Sequence, residues 1–178
     1  MGDSIILSKP LGVGILSAAL KKERLSEAGY REMIALTTQL NKPGLALSRL
    51  DGVHALTDVT GFGLAGHLLE LARGAGLSAD LSWNAIPIID EAIMLVQADI
   101  FTGASTRNWA GYGHEVTLAS QLGLWQQHLL TDPQTSGGLL ISCAPESEAE
   151  VLAILQADGF SHAAVIGRFE SGSGISAS

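Results

Sequence analysis

The chain has 178 residues, enough for one domain with a proper core, and it is 47% apolar but only 16% charged, against roughly 25% in an ordinary soluble domain. A formal net charge of −8 excludes general nucleic-acid binding, which needs a basic footprint. No apolar window reaches the ~20 residues of a membrane span, no signal peptide is evident, and the single cysteine, Cys143, points to a reducing, cytoplasmic setting without a disulfide framework. So little charge has two readings: an apolar face covered by another domain or subunit, or an Ala/Leu/Gly-rich protein and nothing more.

Ser4 to Leu7 reads as a short strand stopped by Lys9-Pro10, and Leu11, Ile15, Leu16, Ala19 and Leu20 then recur at helical spacing. Lys21, Lys22 and Arg24, the densest basic stretch, suit that helix's last turn. A second helix is expected from about Ser26 to Leu40, broken by Asn41-Lys42-Pro43-Gly44, with a short helical piece from Leu45 to Leu50. The clearest helix runs from about Phe62 to Arg73, with Gly74 as its stop. Leu77 to Trp83 alternates like a strand, and Asp90 to Ala98 reads as helix. Phe101 to His114 has no period and reads as a long loop, of the kind that often carries function. Val116 to Leu130 is expected to be helical and Leu139 to Cys143 a strand. Ser147-Glu148-Ala149-Glu150 has capping-box form ahead of a helix closed by Gly159. Ala163 to Arg168 reads as the last strand of a domain covering residues 1–170, followed by a flexible Gly/Ser tail over 171–178. Strands and helices mix without a strict βαβ period, so the expected class is α+β, a small mixed sheet with helices on one face.

Two turn-rich motifs carry the chemistry. In Thr57-Asp58-Val59-Thr60-Gly61-Phe62-Gly63 an apolar segment ends in a carboxylate, turns through glycines and enters a helix. Backbone N–H groups at such a turn attract anions, and one carboxylate beside them suits a hard cation such as Mg²⁺. Asp58 is thus a candidate metal ligand, with Thr60, Gly61 and Gly63 as candidate phosphate contacts; equally, Asp58 reads as a turn cap and the glycines as turn geometry. Thr131-Asp132-Pro133-Gln134-Thr135-Ser136-Gly137-Gly138 repeats the ingredients, and a tight connection into a strand explains it as well. Arg107 and Asn108 are candidates for binding phosphate, or are simply solvated. His67 and Glu70 share a helix face but lack the further ligand zinc would need, so a hydrogen-bonded histidine is the better reading. Cys143 reads as a small core residue.

Taken together and in order, Lys9-Pro10-Leu11-Gly12, Thr57 to Gly63 with Gly66-His67-Leu68, Thr106-Arg107-Asn108 with Tyr112-Gly113-His114, and Asp132 to Leu140 resemble selenophosphate synthetase, also called selenide, water dikinase. The resemblance covers all but the tail and matches the C-terminal half of that family. It departs at Val13, where Thr is common, and at Lys42-Pro43-Gly44, in a stretch that is usually helical.

The resemblance implies the C-terminal fold shared with aminoimidazole ribonucleotide synthetase. It also implies a parent enzyme that uses ATP and Mg²⁺ to make selenophosphate, AMP and phosphate from selenide and water. That parent is a homodimer whose N-terminal half supplies the Cys or selenocysteine, the catalytic Lys and further aspartates. Asp58 carries over as the one Mg²⁺ ligand of this half, which by itself is expected to be inactive and to bind neither Mg²⁺ nor ATP tightly. Two alternatives are a related ATP-using enzyme, such as aminoimidazole ribonucleotide synthetase or thiamine-monophosphate kinase, and a non-catalytic interaction or dimerisation module.

Overall fold

Strand β1 (Ser4–Leu7) is buried at all four positions, because it lies inside the sheet and both of its faces are covered. The computed structural model describes residues 2–178. β1 lies antiparallel between β5 (Leu139–Cys143) and β6 (Ala164–Glu170). β2 (Val53–Asp58) forms one edge on β5, and β3 (Ser78–Leu81) continues the sheet from β6. β7 (Ile175–Ala177) then pairs in parallel with both β3 and β4 (Val116–Leu118). The result is one seven-stranded sheet in the order β2-β5-β1-β6-β3-β7-β4.

The α+β class therefore holds. Helices cover both faces rather than one, because β1 and β5 are apolar on alternate residues of either side. Ile5, Leu7 and Leu140 join Leu64, Leu68 and Leu69 of α4 (Gly63–Ala75) in one core. Ile6, Ile141 and Cys143 join Leu47 of α3 (Gly44–Leu47) and Val151 and Leu155 of α8 (Glu148–Ala157) in another. A third core joins α1 (Val13–Lys21), α2 (Glu27–Thr38), α5 (Asp90–Gln97) and α7 (Leu124–Leu130) through Ile15, Leu16, Met33, Leu95 and Leu129.

Five local expectations fail for physical reasons. Residues 101–114 are not a loop: α6 (Gly103–Tyr112) starts where the Thr102 hydroxyl accepts the Ser105 N–H, a standard cap that compensates for a weak apolar period. Val116 to Leu130 is not one helix but β4, a turn and α7, with Gly123 at the helix start. The Ser147 capping box does not form, since Ser147 closes a 3₁₀ turn in right-handed helical geometry, whereas a cap needs an extended backbone. Helix α4 runs through Gly74 and stops at Gly76, which takes φ 67°, the left-handed conformation that ends helices and that glycine adopts without penalty. The segment expected as a flexible tail ends as strand β7, held at both edges: the Ala119 N–H donates to Ala177 O at 2.9 Å and the Ser178 N–H to Leu81 O at 3.0 Å.

Candidate functional site

β2 ends at Asp58 directly opposite Leu139, the first residue of β5, so the loop leaving β2 and the loop entering β5 must meet. They do so backbone to backbone. The Val59 N–H donates to Gly138 O and the Gln134 N–H to Thr60 O, both at 2.9 Å. A side chain at Gly137 would put its Cβ 2.1 Å from Val59 O, and one at Gly63, where φ is +69°, would put it 2.7 Å from the Thr131 carbonyl carbon. Both motifs are therefore glycine-rich because their backbones touch.

A third segment, Ser8 to Gly12, locks against them. The Leu139 N–H donates to the Ser8 hydroxyl at 2.7 Å, and the Asn41 amide donates to Gly137 O at 2.9 Å. Lys9 is buried with no carboxylate partner; its ammonium donates to Leu36 O (3.0 Å), Gln39 O (2.7 Å) and Ser136 O (2.8 Å). Burial pulls its pKa below the ordinary lysine value. Nothing in the sequence marked Lys9 for this role beyond its place before Pro10.

Asp132 is not open to ligand. It is fully buried, its Oδ2 accepting the Ile15 N–H at 3.2 Å and the Gln134 amide at 3.0 Å, while Gln134 Oε1 accepts the Val13 N–H at 3.2 Å. Together they cap α1, whose own preceding residue, Gly12, has no side chain to do it. Burial pushes the Asp132 carboxyl up to about 7, against the opposing effect of the Ile15, Gln134 and Gly14 donors.

The turn that follows Asp58 is held from outside by α6. Asn108 donates to Gly61 O at 2.9 Å and to Thr131 O at 3.0 Å, and the Tyr112 hydroxyl donates to Phe62 O. Asn108 is thus occupied with backbone carbonyls, while Arg107 beside it is exposed and enters none of the ion pairs among the described residues. His67 bridges Thr60 Oγ1 (3.0 Å) and Glu70 (3.2 Å), which makes it the hydrogen-bonded histidine the sequence indicated. Cys143 is fully buried, its thiol pushed up to about 11 by burial and by the nearby Glu148 and Asp3 charges.

What remains open is Asp58 with the turn beside it. Asp58 is exposed. No neighbour lies within 4 Å of a Cβ built at Gly61, and among the described residues no acceptor takes the N–H of Gly61 or Phe62. No group of three His, Cys, Asp or Glu side chains able to hold a metal occurs among the described residues. This surface can give a hard cation one carboxylate and an anion two backbone donors, and a complete metal cage would need ligands from elsewhere.

Residues 1–178 match the family model described as AIR synthase related protein, C-terminal domain. The chain is 61% identical over 173 residues to a selenide, water dikinase of Paraburkholderia xenovorans (strain LB400), covering 97% of this chain and 49% of that protein. A selenide, water dikinase of Pseudomonas straminea is 61% identical over 171 residues, with 96% and 48% covered. The chain thus spans about half the length of the curated relatives it matches. Among solved structures, E. coli HypE, a hydrogenase maturation protein, superposes with a TM-score of 0.69 at 20% identity, covering 98% of this chain and 45% of that one. A HypE in complex with ATP does so with a TM-score of 0.61 at 20% identity, covering 96% and 43%. The chain belongs to the AIR synthase related family, matching its C-terminal domain throughout, with a sequence similar to that of the selenide, water dikinases.

Proposed function

We propose that this chain is the C-terminal half of a selenophosphate synthetase, which converts ATP, selenide and water to selenophosphate, AMP and phosphate. In this reading it supplies one wall of a site completed by an N-terminal half. The observation that carries the proposal is Asp58, the one carboxylate left open at the meeting point of three otherwise closed loops. The identity to selenide, water dikinases supports it, as does a structural relative in complex with ATP.

The donor set fits Mg²⁺ held as that ion usually is, by one or two carboxylates with phosphate oxygens and water. Asp58 would be this half's ligand, and the ion would neutralise polyphosphate oxygens. The N–H groups of Gly61 and Phe62 would receive a phosphate oxygen, and exposed Arg107 on the neighbouring helix would add positive charge. Asn108, Tyr112 and His67 hold the turn in place from behind, so little reorganisation is needed when ligand arrives. In this reading the lean charge content reflects a face that the other half covers.

The test joins the chain to the N-terminal half of a selenide, water dikinase. The chain alone should show no selenide-dependent ATP turnover, the joined protein should show it, and Asp58→Asn should reduce it by about a hundredfold or more. Turnover by the chain alone, or an undiminished rate with Asp58→Asn, would overturn the reading. A joined protein that binds its partner half but never turns over would favour a non-catalytic module instead.

A further inference from the structure

The loop entering β5 is closed through its carbonyls and not through its N–H groups. Ser136 O accepts the Lys9 ammonium at 2.8 Å, and Gly137 O accepts the Asn41 amide at 2.9 Å. In a trans peptide the N–H points away from the carbonyl before it, so the Gly137 N–H faces away from Lys9. Among the described residues no acceptor takes the N–H of Thr135, Ser136 or Gly137. Thr135 and Ser136 are exposed, but Gly137 is buried, and a buried N–H without an acceptor is rare.

The backbone of Ser136 sets this loop apart. It takes φ 50°, and the other non-glycine residues with left-handed φ among the described residues, Glu23 and Asp99, each follow the end of a helix. There the next N–H turns back into the helix, Arg24 to Ala19 O and Ile100 to Leu95 O, both at 2.9 Å. Ser136 ends no helix, and the N–H after it meets no carbonyl. Thr135 has a negative φ and Ser136 a positive one, a succession that turns consecutive N–H groups into one anion-binding concavity.

A positive charge backs the loop. The Lys9 ammonium sits behind Ser136 among three carbonyls, with no carboxylate to match it, and a buried charge is costly unless matched. Of the two carboxylates on the adjoining segments, Asp132 is enclosed against α1 with its carboxyl pushed up to about 7. Asp58 is exposed on the neighbouring strand end, where a bound cation would offset it.

We propose that the N–H groups of Thr135, Ser136 and Gly137, with Lys9 behind them, form an oxyanion pocket for a phosphate group, separate from the Gly61 and Phe62 donors. Three N–H groups beside two exposed hydroxyls suit the several oxygens of a tetrahedral oxyanion. That this phosphate takes part in ATP cleavage rests on the function proposed above; the pocket itself does not.

The test titrates inorganic phosphate and, separately, AMP into the 178-residue chain in magnesium-free buffer at constant ionic strength, read by amide NMR. Phosphate should saturate at about ten millimolar or below, with the largest shifts at the N–H groups of Thr135, Ser136 and Gly137. A response to phosphate alone assigns the pocket to the free ion, and a response to AMP as well assigns it to the phosphoryl group of a nucleotide. Thr135→Pro deletes one donor and should weaken phosphate binding by about tenfold; should that variant fail to fold, the wild-type shift map decides. No response to phosphate, shifts confined to Gly61 and Phe62, or full affinity in folded Thr135→Pro would each overturn the proposal. None of these readouts needs an N-terminal half, so the pocket and the proposed reaction fail separately.

Discussion

The Asp132 carboxylate accepts the backbone N–H of Ile15 at 3.2 Å across 117 positions of sequence, so the N-terminus of α1 is capped by a loop that enters a different strand. The geometry is favourable and the environment is not, since burial lifts this carboxyl to about 7. Between about pH 4 and pH 7 the folded chain keeps the proton that the unfolded chain releases. By linkage, stability from this group falls as pH rises through that window and is level above it, by an amount on the order of a few kcal/mol. Urea unfolding of the wild type between pH 4 and 8 should show that decline, and Asp132→Asn, which retains an acceptor for Ile15, should flatten it.

Asp3 has the opposite sign. Burial disfavours its charged form, but the Ser142 and His54 bonds outweigh it and hold the folded pKa below the unfolded one, so its stabilising contribution is present above about pH 4 and disappears as pH falls through the folded value. Asp3→Asn should therefore lower stability at neutral pH and reduce acid sensitivity below pH 4, where the slope from Asp132 fades and is gone below about pH 3. Unfolding curves at pH 2.5 to 4 separate the two groups.

Lys9 should be costly to replace although it forms no salt bridge. Lys9→Met keeps most of the apolar stem but leaves the carbonyls of Leu36, Gln39 and Ser136 without their shared donor. An expected loss of about 2–4 kcal/mol follows from stranding buried acceptors, measurable as a lower urea midpoint with an unchanged m-value.

Gly61 and Gly63, both in the turn that follows Asp58, should behave differently. Gly63→Ala forces a left-handed φ and a Cβ 2.7 Å from the Thr131 backbone, and should cost about 2 kcal/mol or more. Gly61→Ala meets open space and should change stability by less than about 0.5 kcal/mol. If the Gly61 N–H receives phosphate, its methyl should still depress activity in the joined two-half enzyme. Calorimetric melting of the chain and a turnover assay of the joined protein separate folding from ligand approach.

Asn108→Ala removes two side-chain bonds, to Gly61 O and Thr131 O, at about 1 kcal/mol each. Amide exchange should quicken around residues 59–63. Arg107→Ala, on an exposed side chain, should leave both stability and exchange unchanged.

Strands β1 and β5 and helices α2, α4 and α5 were legible because each shows its apolar period locally, although the stop of α4 lay two residues beyond the glycine that signalled it. Helix α6 was not, since its sequence Gly103 to Tyr112 holds few apolar residues and makes its place through single contacts: Ser105 to His128, Asn108 to the two loops, Tyr112 to Phe62. The Thr102-to-Ser105 cap was the available clue. Asp58 and the glycine turn were legible as a candidate site because their chemistry is local. The contrast between Asp58 and Asp132 was not, because both precede glycine-rich turns and only long-range packing leaves one exposed and the other enclosed. For the same reason Lys9 and Asp3 gave no sign, each depending on residues from distant strands and helices.

Strand β7 also fixes an order of events in synthesis. β4 touches no other strand of the sheet, and β7 is the piece that joins it to β3. A ribosome therefore releases β4 some sixty residues before the segment that receives it exists. Until Ile175 to Ala177 emerge, the nascent chain carries two unpaired edges, on β3 and β4, at the aggregation-prone stage of its life. The strand order itself thus sets the closing of this edge of the sheet after the synthesis of β7.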